Sequence, residues 1–414
     1  MSAPTSRRPR LLALTQCLPY PPHAGVTNRI FNILTGLATR FDVQLVPFFR
    51  QAHHPSQDAV DQARAALEGR LQSVASPVPI PAERSRTRRV LSHCGSLVRR
   101  RPYIWFEYWT PDFRRSLAAA LEGGAPDLIH LESLDLYRWI SELPPGPVAV
   151  THHSIESDLL RVRAAVTPGL LAPAYLRYQA NRVEEVERRW CPRVDLNLVV
   201  STADDQRLRR VAPRATTYLA PNGVDLGYFQ RRREPDPSPR VVFVGPSYVY
   251  QNREAIEWFL AASWPRILAA VPDATLELVG AGRPADLARF SAHRRVNCLG
   301  YLPDIRPVLE AATVAVVPIR IGGGTRLKIL DAWGMATPVV STTIGSEGLD
   351  AVDGEHLMVR DDASDIADAV VQLMRDPGLG RRLGAAGRRL AEARYSWSRI
   401  AADLADRYVE LLRG

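Results

Sequence analysis

The residues best suited to chemistry lie in one stretch, Ile319 to Thr343, IRIGGGTRLKILDAWGMATPVVSTT. Gly322, Gly323 and Gly324 can take backbone angles closed to other residues and present no side chain to hold a ligand away. From Thr325 to Trp333 the spacing is helical, with Leu327, Leu330 and Ala332 or Trp333 as the apolar positions facing a sheet. A glycine loop opening into a helix offers unpaired N–H groups and partial positive charge, which suit a phosphate. Arg326 and Lys328 add full charges there, and Asp331 follows where a carboxylate can take the two hydroxyls of a ribose. Of 53 lysines and arginines in the chain, Lys328 is the only lysine, as though arginine had replaced lysine elsewhere in a GC-rich genome. A compact ammonium fits where a planar guanidinium does not, so its retention here reads as functional; retention by chance on a solvated helix face is the plainer alternative.

The elements that must position these groups are legible around them. Val314 to Pro318 before the loop and Pro338 to Ser341 after the helix are buried-strand runs, so strand, loop, helix and strand form one βαβ unit with its ligand at the strand's carboxyl end. Two halves of the chain alternate short apolar strands with helical patterns, the signature of an α/β fold with doubly wound sheets. The first half places strands at Leu11–Thr15, Val43–Val46, Leu128–His130, Val148–Thr151, Leu196–Val200 and Tyr218–Ala220. The second places them at Val241–Val244, Thr275–Val279, Val314–Val317 and Val339–Ser341. Between the halves, RRREPDPSPR at residues 231 to 240 has the charge and proline content of a linker. The expected domains are therefore 1–230 and 241–396, followed by a last helix at 397–414.

The segment GGGTRLKILDAWGMATPVVSTTIGSEGL resembles the donor-binding segment of the retaining GT-B glycosyltransferases of family 4 type, which include sucrose synthase and many bacterial capsule enzymes. It is most similar to the branch of sugar transferases associated with exosortase-type exopolysaccharide systems, which reads GGGTR-x-K-hydrophobic-hydrophobic-E-A. The wider family carries two glutamates with seven residues between them; here those positions hold Gly323 and Asp331, so the first acid is absent and the second shortened. The resemblance is strong from about 240 to 400 and patchy before that. It implies the GT-B fold, two Rossmann-like domains facing across a cleft with a C-terminal helix crossing back to the first.

It also implies roles for further residues. PYPPHAGVTNRIF resembles the family's acceptor-side loop, with Gly25 at the first glycine position and Arg29 at the arginine position. An ordinary strand-to-helix turn accounts for Gly25 nearly as well. His130 and Glu132 end one strand and His152 and His153 another, both at carboxyl ends where α/β ligands sit. His153, Ser154, Ile155, Glu156 and Ser157 match the branch's H-x-x-E-S segment. A histidine near this place hydrogen-bonds the donor sugar in the wider family; His153 is the choice and His152 its rival. Glu132 and Glu156 are placed on the acceptor side. In RVVFVGPSYVYQNREAIEWF, Gly245 ends a strand, and Pro246, Ser247 and Asn252 stand where the wider family has a diphosphate-clamping arginine and lysine. Arg326 and Lys328 are expected to restore that charge, with Gly245, Asn252, Gly322, Gly323, Gly324, Thr325, Asp331 and Glu347 forming the donor pocket. Arg306 and Arg320 are further candidates without a motif.

Bulk properties bound the rest. A chain of 414 residues holds two full cores. The four cysteines are scattered without metal-ligand spacing, which fits reduced thiols in a cytoplasmic protein. No apolar run approaches a bilayer-spanning length, and the first strand, Leu11 to Thr15, accounts for the apolar N-terminus better than a signal peptide does. A net charge of +9 admits nucleic acid, an anionic membrane or anionic small molecules; no nucleic-acid-binding motif is present. Residues 81 to 110 alternate arginines with aliphatics and then gather aromatics, the pattern of a contact at the inner face of an anionic membrane. A solvated basic face beside a packed aromatic helix, or a gate on the acceptor pocket, would show the same residues.

The function these readings imply is glycosyl transfer with retention of configuration from a UDP-, GDP- or dTDP-linked sugar, with no metal and no further cofactor. The acceptor would be a glycan, a lipid-linked species or a small molecule, in bacterial exopolysaccharide or other glycoconjugate assembly. Tailoring of a small natural product and a catalytically weak nucleotide-sugar-binding protein are the alternatives. A two-domain NAD-type dehydrogenase would need G-x-G-x-x-G after an early strand, and none follows Leu11.

Overall fold

The computed structural model describes residues 7–22, 25–51, 53–233, 238–321 and 327–413. The chain forms two compact units, Met1–Pro221 with Trp397–Gly414, and Asn222–Ser396.

The first unit is built on β1 (Arg10–Thr15), β2 (Asp42–Phe49), β3 (Ser73–Val74), β4 (Val78–Pro79), β5 (Leu128–Leu131), β6 (Val148–His152), β7 (Leu196–Val199) and β8 (Thr217–Leu219). The sheet order is β3-β2-β1-β5-β6-β7-β8, with β4 also on β2, and every pair is parallel. Parallel strands covered on both faces read as unbroken apolar runs, and Leu11, Leu12, Ala13 and Leu14 of β1 are all fully buried. The order reverses between β1 and β5. The helix Trp397–Leu411 lies against the helix Gly25–Leu37 so closely that a Cβ on Gly36 would fall 2.3 Å from the Ala401 Cβ. Trp397 Nε1 donates to Asn28 Oδ1 at 3.1 Å, and Tyr408 sits edge-on to Phe41 with ring centres 6.1 Å apart.

The second unit carries β9 (Arg240–Val244), β10 (Thr275–Val279), β11 (Val296–Gly300), β12 (Val314–Val317), β13 (Val339–Ser341) and β14 (Met358–Val359) in the order β11-β10-β9-β12-β13-β14, again all parallel. Its order reverses between β9 and β12. The helix Leu327–Gly334 follows β12 and buries Ile329, Leu330, Ala332 and Trp333 against the sheet. Gly387 is needed beneath it, because a Cβ there would meet Trp333 Cδ1 at 2.3 Å.

The boundary falls after Pro221, earlier than residue 230. Val224 N donates to Tyr395 O at 2.7 Å, and Val224 and Phe229 are part of the second unit's apolar core. The expected linker also begins inside this unit: Arg231 Nε donates to Met335 O at 2.7 Å, and Arg233 N to Glu310 Oε1 at 2.9 Å. Strands β3, β4, β11 and β14 went unread in the sequence. Three are two-residue edge pairings, and β11 is an edge strand whose VNCLG lacks an apolar run.

Candidate functional site

In an open parallel sheet the ligand crevice lies beyond the carboxyl ends of the two strands at which the order reverses. In the second unit those strands are β9 and β12, and the polar residues gather there. β9 ends at Val244, and the chain turns at Gly245. The helix Tyr250–Trp258 presents Asn252, which is almost fully buried. Its Nδ2 donates to Pro246 O at 3.0 Å, which fixes the amide and points Oδ1 away from the loop. Lys328, in the first turn of the helix after β12, donates from Nζ to that Oδ1 at 2.8 Å. The same ammonium lies 4.4 Å from the centre of the Phe243 ring, a cation–π contact that further orients it. Gly245 has to be glycine: a Cβ there would be 2.8 Å from both Lys328 Nζ and Asn252 Nδ2. The ammonium thus rests directly against the backbone at the end of β9.

Asp331, one turn along from Lys328, is half-buried, and burial pushes its carboxyl up to about 7 while Lys328 pulls it down. Glu347 is half-buried in the turn after β13. That turn is held by Thr343, whose N and Oγ1 reach the two Asp361 carboxylate oxygens at 2.8 and 2.7 Å. Arg306 and Arg320 face carboxylates: Arg306 forks onto Asp304, holding that acid at about 2, and Arg320 pairs with Glu254 and stacks 4.3 Å from Trp258. Gly322, Gly323, Gly324, Thr325 and Arg326 lie outside the described residues. Ser247 is read from the sequence only as standing in place of the family's clamp, with no role in the donor pocket. Its hydroxyl is buried at the end of β9 with no hydrogen-bond partner among the described residues.

In the first unit the reversal lies between β1 and β5, and a buried polar chain runs beside it. His130 Nε2 and Glu132 Oε2 are 2.6 Å apart, and His130 Nδ1 meets the Tyr408 hydroxyl at 2.6 Å. Arg29 Nε lies 3.9 Å from Glu132 Oε1, and Arg29 Nη1 donates to Pro221 O at 2.9 Å. Burial alone would raise the Glu132 carboxyl, yet His130 first, then His153 and Arg29, hold it down at about 2. Arg29 and Glu132 were expected as acceptor contacts. They are 1% and 0% exposed, so in this structure they join the sheet, the first helix and the last helix from inside rather than reaching a surface. Gly25 is exposed at the start of its helix.

The two histidines separate clearly. His152 is buried, its Nε2 bonded to Asn197 Oδ1 at 3.0 Å and its pKa pushed down to about 4 by burial. His153 is half-buried, and its Nε2 donates to Glu132 O at 2.8 Å. Burial, the largest cause, lowers its pKa and so favours the neutral ring. A neutral imidazole that donates from Nε2 keeps a lone pair on Nδ1. Glu156 opens the helix Glu156–Val166, and burial, with Asp135 nearby, raises its carboxyl to about 8. Asp135 and Glu107, both missed in the sequence, belong to the same group: burial raises Asp135, and burial with Asp135 lifts Glu107 to about 7. Their signal is the raising of half-buried carboxyls by burial, and of Glu107 and Glu156 by Asp135 as well, which no local motif marks.

Two parallel Rossmann-like sheets of this kind are the architecture of a GT-B glycosyltransferase. Sucrose-phosphate synthase from Thermosynechococcus elongatus superposes with a TM-score of 0.70 at 20% identity, covering 98% of this chain and 99% of that one. Anabaena HepE, solved with UDP and glucose, superposes with a TM-score of 0.64 at 15% identity over 97% of this chain and all of its own. The chain belongs to the glycosyltransferases of the group 1 and family 4 type: residues 23–228 match the model described as Glycosyltransferase Family 4, and residues 238–376 the model described as Glycosyl transferases group 1. Among curated relatives, the phosphatidyl-myo-inositol mannosyltransferase of Mycobacterium leprae is 26% identical over 69% of this chain and 73% of its own length. A GDP-mannose-dependent monoacylated phosphatidylinositol monomannoside mannosyltransferase of Corynebacterium glutamicum is 31% identical, but over only 33% of this chain and 39% of its own.

Proposed function

We propose that this glycosyltransferase moves a sugar from a nucleoside diphosphate sugar to a hydroxyl acceptor with retention of anomeric configuration. The observation that carries the reading is the Lys328 ammonium held by Asn252 and Phe243 against the Gly245 backbone, at the point where the second sheet reverses order. As the bond from the anomeric carbon to the diphosphate breaks, negative charge builds on the leaving oxygens. A cation fixed in advance stabilises that charge without reorganising at the moment of reaction. Arg326 and the amides of Gly322 to Thr325 are assigned to the same leaving group, and Asp331 and Glu347 to the nucleoside and sugar. These cations supply the countercharge, so turnover is expected to survive chelation of divalent metals.

His153 is assigned to a donor-sugar hydroxyl through its Nδ1 lone pair. The partly enclosed carboxyl group of Glu107, Asp135 and Glu156 is assigned to the acceptor's hydroxyls. The mannosyltransferase relatives, whose names specify phosphatidylinositol-based acceptors and, for one, GDP-mannose, favour a lipid-linked or glycan acceptor in glycoconjugate or exopolysaccharide assembly.

Titration of UDP, GDP and dTDP against the protein, read by thermal shift, tests the donor half, because a bound nucleotide stabilises the native state. One of the three is expected to raise the midpoint by several degrees; no shift with any at millimolar concentration sinks the reading. The configuration of the product, read by NMR, tests retention.

Asn252 offers a sharper check. Asn252→Ala frees the lysine from its aim and is expected to weaken nucleotide affinity by about ten-fold, the cost of one charge-assisted hydrogen bond. Asn252→Asp would instead capture the ammonium in an ion pair and weaken binding further. Equal affinity in all three proteins would show that Asn252 does not position Lys328.

A further inference from the structure

The helix Arg86–Arg99 is amphipathic in the inverse sense. Ser96 faces the fold, where its hydroxyl donates to Arg101 O and accepts from Gln179 Nε2 at 2.8 Å. His93 also turns inward, its Nδ1 2.5 Å from the Tyr175 hydroxyl. Gly95 sits where a Cβ would be 3.3 Å from the Phe106 ring. The outward stripe is apolar: Val90, Leu91, Leu97 and Val98 are 59%, 62%, 51% and 82% exposed. These positions fall within about a third of the helix circumference. A helix that only packs on its own protein would place these aliphatics underneath and the serines outside.

The stripe does not stand alone. Leu170 and Leu171, at the start of the helix Leu171–Trp190, are each 88% exposed. His93 meets Tyr175, and three residues on Ser96 meets Tyr178 and Gln179, so the two helices run in the same sense. One turn back along each brings Leu171 level with Arg89 and Val90. Among the described residues of the first unit, every leucine, isoleucine or valine more than half-exposed belongs to these two places.

Exposed basic residues flank them along the chain: Arg88, Arg89, Arg99, Arg100 and Arg101 beside the first group, and Arg163 and Arg177 beside the second. No acidic residue falls between Glu83 and Glu107 or between Asp158 and Glu184. We infer that this face of the first unit docks on an anionic lipid bilayer, with the leucines and valines entering the headgroup boundary and the arginines meeting lipid phosphates. Charge complementarity selects that occupant. A second copy meeting the patch through a two-fold axis would set arginines against arginines. The inference is independent of the donor site, since no residue of this face belongs to it.

The experiment is co-sedimentation of the full chain with vesicles of phosphatidylcholine alone or with about one-third phosphatidylglycerol. The wild type is expected to partition at least ten-fold more strongly onto the anionic vesicles, and half-molar salt should remove most of that preference. Arg88→Gln with Arg89→Gln should lower it roughly 25-fold, at about five-fold per cation. Leu170→Ser with Leu171→Ser should lower it about ten-fold. All four positions are exposed, so unchanged melting curves certify the fold. Equal partition onto both vesicles, or variants that bind as the wild type does, overturn the proposal. So does a dimer in light scattering that the serine variants dissociate, because the face would then belong to a protein interface. Donor turnover in free solution should not change in these variants, which keeps a failure here distinct from a failure of the donor assignment.

Discussion

Lys328→Ala is expected to lower kcat/KM for the sugar donor by roughly 10²- to 10³-fold, the usual loss when one preorganised charge on a leaving group is removed. The melting temperature should move by no more than a degree or two. The side chain is half-exposed, while Ile329, Leu330, Ala332 and Trp333 hold the helix to the sheet without it. Lys328→Arg should fail almost as badly, although it keeps the charge. The ammonium fits between Asn252 Oδ1 at 2.8 Å, the Phe243 ring at 4.4 Å and a glycine backbone with no room for one more carbon. A planar guanidinium cannot occupy that space without moving the loop. Steady-state kinetics of donor hydrolysis and transfer check both variants. If the arginine variant keeps more than half of the activity, the tight seat is not what matters; if the alanine variant does, Lys328 is not in the site.

The second large effect is on stability. Glu132→Gln should destabilise the first unit by about 3 kcal/mol, because it leaves His130 and Arg29 enclosed without their anion. The folded carboxyl sits at about 2, against about 4.5 in an unfolded chain. A group whose folded pKa is depressed contributes stability that is fully present above the unfolded value and is lost as pH falls through the folded one. The shift corresponds to about 3 kcal/mol, in line with the pair-breaking figure. The gap between wild type and Glu132→Gln should therefore be widest from pH 5 upward, shrink between about pH 4.5 and 2, and vanish below. Glu156, Glu107 and Asp331, held high at about 8, 7 and 7, act in the opposite sense and destabilise the fold as they ionise. They are common to both proteins and cancel in the difference. Thermal or urea melts across pH 7 to 2.5 measure it; a gap that does not change with pH would show that Glu132 contributes packing rather than charge.

Much of the architecture was open to reading because its causes are local. A strand buried on both faces must be apolar without interruption, so β1, β6, β9 and β12 could be placed from their residues within a position or two. A helix after a strand shows its period in Leu327, Leu330 and Trp333, and the retention of one lysine among so many arginines marked the residue that the fold then seats against Gly245. Short edge strands escaped notice because two residues carry no period.

Tertiary structure alone decided what joins distant segments. Tyr408 reaches His130 across 278 residues, and Lys328 reaches Asn252 across 76, neither of which any spacing rule anticipates. The alternation of a strand end offers His152 and His153 equally; only the presence of Asn197 on the neighbouring β7 draws His152 inward and leaves His153 at the edge. Arg29 looked like a ligand contact from its place in a motif, and the register of β5 beside β1 turned it into an interior partner of Glu132. Residues 86 to 99 showed their period but not their facing, because the side a helix buries is set by what packs on it. The sequence determines the periods, turns and charges, which depend on neighbours along the chain. Partners across sheets and helices depend on strand order and register, and those exist only once the chain has folded.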